Sequence, residues 1–241
     1  MTSPAGSPWS APSVVAGFAS SAPNPVLMRF AEAELQRVAT ARPRPFRALD
    51  LGCGAGRNAV PLAGLGWYVV GLDNSLPMLA AAQARTGTAA IAEGGGGLHL
   101  ALAAMDRIPL PDASCDLVIA HGIWNLARSA AELRQALREA GRVAAPGAGL
   151  FVFTFSRNTF PSATAPVAGE PFVFTQFSGQ PQCFLTAEQL IGELGEAGFA
   201  PDPAVALTEY NRPAAGARPV APESAPPTRP VIYEAAFRFR R

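Results

Sequence analysis

A glycine-rich turn flanked by two acidic residues is the part of the sequence best suited to chemistry. The stretch Ala48-Leu-Asp-Leu-Gly-Cys-Gly-Ala-Gly-Arg-Asn58 leads from an apolar run into a helix and contains Gly52, Gly54 and Gly56. Glycines let the backbone turn sharply and approach a ligand, and free N–H groups at a helix start favour a negative group. Asp73 follows at the end of the next predicted strand, where a carboxylate can accept both ribose hydroxyls of a nucleoside. Together these features predict a nucleoside site in the first βαβ unit.

The elements that must position this site alternate along the chain. Short apolar runs predict strands over Phe46–Leu51, Trp67–Leu72, Leu98–Leu102, Asp116–Ala120, Leu150–Phe155, Val205–Tyr210 and Val231–Phe239. Helical periodicity predicts helices over Pro25–Thr40, Asn58–Leu65, Ser75–Arg85, Ala130–Ala140 and Thr186–Ala197. Alternation of this kind indicates an α/β chain with a parallel sheet that helices cover on both faces.

Three segments stand apart from this alternation. Residues 1–24 are rich in Ser, Ala, Pro and Gly, and we expect a flexible segment or a lid over the body. Residues 25–241 form the predicted domain, in which 157–183 is an insertion that we expect on the side where the substrate that accepts the transferred group binds. Its phenylalanines either line a pocket, which would favour an aromatic or polyketide-like substrate, or form a small core beneath a loop.

Composition excludes several classes of function. Nineteen basic against 18 acidic residues give a net charge of +1, which argues against a protein that neutralises nucleic-acid phosphates. No apolar stretch is long enough for a membrane span, and the start lacks the pattern of a secretory signal. Three cysteines at unrelated spacings predict neither disulfides nor a metal site, and indicate a reducing cytoplasm.

The glycine pattern, opened by an acidic residue, resembles motif I of the class I S-adenosylmethionine-dependent methyltransferases. Three later segments agree with this family in order and spacing: Ala104–Val118 before and into strand four, Gly141–Leu150 entering strand five, and Leu185–Phe199. The resemblance covers residues 25–156 and 184–239, and the Gly-Arg-Asn helix start is similar to the small-molecule branch that includes tellurite-resistance proteins. It implies a Rossmann-like, doubly wound sheet of seven strands, mostly parallel, with an antiparallel last strand beside the fifth.

The resemblance also implies S-adenosyl-L-methionine as the cofactor and a place for each of its parts. Asp50 would lie near the amino acid portion, Gly52, Cys53 and Gly54 against the methionine moiety, and Asp73 at the ribose. The remaining implied contacts, to the adenosine and the reactive methyl, are Asn74, Met78, Met105, Asp106 and His121. Met105 could equally be a core residue, because methionine fills irregular gaps.

Direct methyl displacement needs an aligned nucleophile and, for a hydroxyl acceptor, a base. His121 is the best candidate for that base, since imidazole titrates near neutral pH, although it could merely pack beside the cofactor. His99, within strand three, is more typical of a structural histidine. Candidates to bind the acceptor are Trp124, Asn125, Arg157 and Tyr210.

Motifs that the sequence lacks reduce the range of possible methyl acceptors. The sequence Ala120-His-Gly-Ile-Trp-Asn125 differs from the Asn/Asp-Pro-Pro-Tyr/Phe of amino-methylating nucleic-acid enzymes, and no acidic cluster suggests a catalytic Mg²⁺. We expect a small-molecule acceptor, of the kind met in secondary metabolism. Two other hypotheses remain open: a cyclisation or rearrangement enzyme that keeps the cofactor site, and a catalytically silent partner subunit. The sequence predicts no oligomeric state.

Overall fold

The computed structural model describes residues 8–40, 45–87, 96–212 and 229–240. Its helices of eight or more residues are α1 (Pro12–Ala19), α2 (Pro25–Ala39), α4 (Leu76–Thr86), α5 (Ala130–Val143) and α6 (Ala187–Glu196), and α3 (Ala59–Gly64) is shorter. The strands are β1 (Arg47–Leu51), β2 (Tyr68–Asp73), β3 (Gly97–Leu102), β4 (Cys115–His121), β5 (Ala144–Phe155), β6 (Val173–Phe174), β7 (Gln182–Cys183), β8 (Phe199–Pro201), β9 (Thr208–Tyr210) and β10 (Ile232–Phe239). Short 3-10 turns cover Pro8–Ser10, Trp124–Leu126, Arg157–Thr159 and Pro203–Val205.

The central sheet has the order β3-β2-β1-β4-β5-β10-β8, with β9 also paired to β10. The first five strands run parallel, while β10 is antiparallel to β5, as expected. The predicted α/β fold class is therefore confirmed.

The far edge of the sheet differs from the expected single strand over Val205–Tyr210. β8 pairs with the end of β10 and β9 pairs with its start, so two short strands share one edge position. The chain leaves the edge between them at Asp202, whose side chain accepts a hydrogen bond from the backbone N–H of Ala204 and caps a 3-10 turn. Counted separately, eight strands form the sheet among the described residues.

Helices cover both faces of the sheet. α2 and α3 bury Leu27, Phe30 and Leu62 against one face, and α5 and α6 bury Leu137 and Leu194 against the other. Three of the α-helices that the structure describes begin with a side-chain cap: Asn24 at α2, Ser129 at α5, and Thr186 at α6, which has a full capping box. No helix within the described ranges is long and apolar enough to cross a membrane.

The 157–183 segment forms a small separate core together with residues that flank it. Phe160, Phe174 and Phe184 are buried together, and Phe155 and Phe177 pack against them. Its short strands β6 and β7 pair antiparallel. These phenylalanines accordingly pack against one another beneath a loop.

Candidate functional site

The glycine turn connects β1 to α3 at the carboxyl edge of the parallel strands. Gly52 and Gly54 have φ values of 65° and 53°, in the left-handed region that favours glycine. A Cβ on Gly52 would lie only 2.7 Å from the Ile123 side chain, whereas one on Gly54 would have its nearest neighbours at 3.9 Å or more, from Met78 and Phe18. Backbone at Gly54 is therefore open to close approach by a ligand.

Asp50 is a buried carboxylate beneath this turn. It accepts a hydrogen bond from the backbone N–H of Ala59, but its Oδ2 has no partner among the described residues. Burial and the charge of Asp73 together raise the pKa of Asp50 to about 7, although Arg57 opposes both effects. The Arg57 Nε is likewise buried and unpartnered, and burial lowers the pKa of its guanidinium. A carboxylate oxygen and a guanidinium N–H that both lack a hydrogen-bond partner beside one turn suit a zwitterionic ligand.

Asp73 lies at the end of β2, beside the same turn. Its Oδ2 accepts from the Gly54 N–H at 2.9 Å, and its Oδ1 accepts from the Ser75 N–H at 2.8 Å. Burial raises the pKa of Asp73, and these backbone donors partly offset the increase. The carboxylate is thus fixed beside the glycine backbone, with capacity to accept further hydrogen bonds.

The other residues implied for the cofactor lie around this point with different exposure. Met78 is buried, Met105 and Asp106 are half-buried, and Asn74 is exposed. The Cys53 side chain is buried against Gly71, and burial raises its pKa, so only its backbone is available to a ligand.

His121 ends β4 and is held by Asn24, which the sequence analysis placed in the N-terminal segment. The Asn24 Nδ2 contacts the His121 Nε2 at 3.2 Å and donates to the Glu234 Oε2 at 2.7 Å. The Tyr210 hydroxyl donates to the other Glu234 oxygen at 2.8 Å. The imidazole stacks on Phe153 with 4.2 Å between ring centroids. Burial, with a smaller effect of Arg57, lowers the pKa of His121 to about 4, so the ring is neutral at physiological pH.

The structure gives the predicted acceptor residues separate surroundings. Trp124 and Asn125 are buried, and within the described part of the chain the indole N–H and the amide Oδ1 have no partner. Arg157 donates to the carbonyls of Phe160, Pro161, Ser162 and Thr164, so it holds its own loop together. His99 is exposed and stacks on Tyr68, away from the glycine turn.

The N-terminal segment lies against the same site. Ser75 precedes α4 without capping it through its side chain, and donates its hydroxyl to the Trp9 carbonyl at 3.3 Å. Arg85 of α4 donates to the carbonyls of Ala19 and Ser21. Residues 1–7 lie outside the described residues, but 8–21 thus lie over α4 beside the glycine turn.

Sequence reasoning missed three residues of this site: Asn24, Arg57 and Glu234. One signal was available for Glu234, because it is a lone charge within the otherwise apolar run Val231–Phe237. Asn24 gave no comparable signal, because His121 and Glu234 are remote from it in sequence. Arg57 entered the sequence analysis only as part of the Gly-Arg-Asn helix start.

Comparison with known proteins gives this geometry a family. A model described as a methyltransferase domain matches residues 49–153, which contain the glycine turn, Asp73 and His121. This match, with the motifs inside it, places residues 49–153 with the class I S-adenosylmethionine-dependent methyltransferases. The resemblance stated from the motifs is therefore confirmed, and S-adenosylmethionine is the cofactor of this family.

Individual relatives of this methyltransferase are distant. The malonyl-[acyl-carrier protein] O-methyltransferase of Pseudescherichia vulneris is 34% identical over 120 residues, which cover 49% of this chain and 42% of that protein. The chain therefore matches less than half the length of this curated relative.

Two solved structures share the fold. A methyltransferase of Methanosarcina mazei has a TM-score of 0.63 and 16% identity, over 85% of this chain and 97% of that chain. The [4+2]-cyclase SpnF has a TM-score of 0.61 and 20% identity, over 92% of this chain and 85% of that chain.

Proposed function

We propose that this protein transfers a methyl group from S-adenosylmethionine to a small-molecule acceptor by direct displacement. The observation that carries the proposal is the pair of orphaned buried polar atoms, the Asp50 Oδ2 and the Arg57 Nε, beside an open glycine backbone. Their charges complement the ammonium and carboxylate of the cofactor's amino acid portion. Asp73 would accept the ribose hydroxyls.

When bound, the cofactor supplies an electrophilic methyl group on a sulfonium. The protein's task is then positioning and exclusion of water. Asp50 and Arg57 fix the amino acid portion, and Met78, Met105, Asp106 and Asn74 border the adenosine. The N-terminal residues 8–21 act as a lid on the cofactor, and the 157–183 insertion borders the acceptor, beside Trp124 and Asn125. We place the reaction in the cytoplasm, on a secondary metabolite, with no nucleic acid involved.

Calorimetry with S-adenosylmethionine and S-adenosylhomocysteine tests the cofactor site. We expect wild type to bind both, and Asp50→Asn to weaken binding by at least tenfold. Asp112→Asn is the matched control, because Asp112 is largely exposed and pairs with Arg142 far from the glycine turn. Equal affinities for all three proteins would contradict the assignment of Asp50.

Mass spectrometry after incubation with the cofactor and a bacterial extract tests the reaction. Methyl transfer produces S-adenosylhomocysteine and a product heavier by about 14 Da. The likeness to a cyclase keeps a second candidate, a rearrangement for which the cofactor is bound but not consumed. Changed isomers without S-adenosylhomocysteine would favour that candidate, and binding without any turnover would favour a silent partner subunit.

A further inference from the structure

The polar network around Asn24 fixes how His121 is protonated. The Asn24 Oδ1 accepts from the backbone N–H groups of Val26 and Leu27, at 2.9 and 3.0 Å. The amide orientation is therefore set by the helix cap, and its NH₂ group must face His121 and Glu234. Since both hydrogens of that group are donated, the His121 Nε2 accepts, and the ring proton lies on Nδ1.

This arrangement leaves His121 without a free nitrogen for an acceptor's proton. Nε2 is occupied by Asn24, and Nδ1 interacts with the residue's own backbone. The expected role of His121 as the base therefore lacks support from the geometry around it. Its position beside Phe153 and Asn24 is that of a positioning residue.

Glu234 is the carboxylate that this network holds. It is 3% exposed, and its two oxygens accept from Asn24 and Tyr210, both neutral donors. No ion pair to Glu234 occurs among the described residues. Burying a carboxylate without a cation is costly, and proteins keep such groups mainly at functional sites.

Sheet register places this carboxylate at the carboxyl edge of the parallel strands. Glu234 pairs with Phe153 of β5, and Phe153 pairs with His121 of β4, so the three lie in one row across the sheet. In the neighbouring strand, Leu51 pairs with Ala120, which puts Gly52 at the level of His121. The row thus begins at the cofactor turn and ends at Glu234. Tyr210 is 40% exposed and connects the buried carboxylate to the surface.

We propose that the Tyr210–Glu234 pair removes the proton of the methyl acceptor, and that the acceptor is therefore a hydroxyl or an amine rather than a carboxylate. The proposal rests on the proposed function. The acceptor's proton passes to the Tyr210 oxygen while the tyrosine's own proton passes to Glu234. At the same time the acceptor–carbon bond forms and the carbon–sulfur bond breaks, with its electron pair left on sulfur. A carboxylate acceptor has no proton to lose at neutral pH, and the charge of Glu234 would repel it.

Three substitutions separate this pair from His121. Glu234→Gln keeps both hydrogen bonds, because its amide oxygen faces Asn24 and its NH₂ faces the tyrosine oxygen. Tyr210→Phe removes the hydroxyl alone, and His121→Gln retains an acceptor for Asn24. Glu209→Gln is the matched control, since Glu209 precedes Tyr210 on β9 but binds Ser156 and Asn158.

Two charged or titratable groups surround the Tyr210–Glu234 pair. His121 is linked to it through Asn24, and Arg29 acts electrostatically on Tyr210.

The experiment measures methyl transfer to 4-methylphenol, benzylamine and benzoate across pH. We expect transfer to the phenol or the amine and none to benzoate. Glu234→Gln should lower kcat by roughly 100-fold and remove the acidic limb of the pH profile, with the affinity for S-adenosylhomocysteine unchanged. His121→Gln should keep that limb. The proposal is overturned if the acidic limb of the pH profile remains in Glu234→Gln or is lost in His121→Gln. A preference for benzoate as the acceptor overturns it as well.

A nitrogen-15 NMR spectrum of His121 in the S-adenosylhomocysteine complex gives a readout that needs no turnover. We expect a neutral ring with Nδ1 protonated at pH 7, and a protonated Nε2 or an imidazolium overturns the proposal. If wild type methylates none of the probes, the affinity of each probe for the S-adenosylhomocysteine complex is measured instead. Tighter binding of the phenol or the amine than of benzoate, which is lost in Glu234→Gln, supports the role of the Tyr210–Glu234 pair. Equal binding, or none, counts against it. Failure of the proposed function is recognised separately, because wild type would then not bind S-adenosylmethionine or not convert it.

Discussion

At the scale of single residues, Asp50 shows a conflict between stability and ligand binding. Its pKa of about 7 lies well above the ordinary range, because the folded protein buries the carboxylate with one oxygen unpartnered. A carboxyl group with a raised pKa stabilises the folded state at low pH, and this contribution is lost as pH rises from about 4 to about 7. Above pH 7 the ligand-free protein therefore carries an unfavourable charge that a bound ammonium group would offset.

Asp50→Asn should accordingly raise the free energy of unfolding by roughly 1–3 kcal/mol at pH 8, and by less at pH 5, while it weakens cofactor binding. Urea unfolding at both pH values measures the difference. Equal stabilities of variant and wild type at pH 8 would show that the carboxylate is better solvated than its burial indicates.

Asn24 offers a second test at this scale, because one amide does two tasks. Asn24→Ser keeps an oxygen for the helix cap but loses both donors of the NH₂ group, whereas Asn24→Ala loses the cap as well. We expect the serine variant to unfold about 1 kcal/mol more easily than wild type, and the alanine variant about 1 kcal/mol more easily again. NMR titration should show a higher His121 pKa in both variants, since Nε2 is then free to accept a proton. An unchanged His121 pKa would contradict the hydrogen bond.

At the scale of elements, the N-terminal segment is attached to the body by few contacts. Arg85 holds the carbonyls of Ala19 and Ser21, and Ser75 holds that of Trp9. Within α1 no residue is buried, so this helix is stabilised mainly by these hydrogen bonds and by the contact of Trp9 with Phe18. Segments with so little burial open at low cost in free energy.

Arg85→Ala should therefore speed proteolysis within residues 8–21 and weaken S-adenosylmethionine binding by roughly three- to tenfold, if one hydrogen-bonded contact contributes about 1 kcal/mol. Limited proteolysis with and without the cofactor, together with calorimetry, measures both effects. Arg128→Ala is the control, because Arg128 is exposed and, among the described residues, its side chain pairs with Glu132 alone. Unchanged affinity with faster cleavage would separate this segment from the cofactor site.

At the scale of the whole molecule, the sequence predicted what local pattern determines. The alternating elements, the glycine turn and Asp73 follow from periodicity and residue type, and the structure places them as expected. The network around His121 could not be predicted, because Asn24 and Glu234 lie 97 and 113 residues away in sequence. The packing of α2 on the sheet brings Asn24 to His121, and strand order brings Glu234 to Asn24. The split edge strand was equally hidden, since β8 and β9 are three residues each and take their register from β10.

A network of charged side chains lies at the end of the sheet away from the glycine turn. It connects the last strand, β10, to α2 and to the turn between β8 and β9. Arg238 of β10 donates to both carboxylate oxygens of Glu34 and to Asp202, and all three side chains are largely buried. Burial alone would raise the pKa of Glu34, but Arg238 and Arg37 lower it below its ordinary value. The contribution of Glu34 to stability is therefore present above its ordinary pKa and is lost as pH falls through the lowered value.

Arg238→Met should lower the free energy of unfolding at pH 7 by roughly 2–4 kcal/mol, because it leaves Asp202 without a cation and Glu34 with Arg37 alone. The deficit should narrow as pH falls, since protonation removes the unpaired charges. Adding Glu34→Gln to Arg238→Met should recover part of the loss at pH 7, which thermal unfolding of both variants and wild type measures. A deficit independent of pH would assign the effect to lost packing of the arginine stem, and the network would then fix strand order by contact rather than by charge.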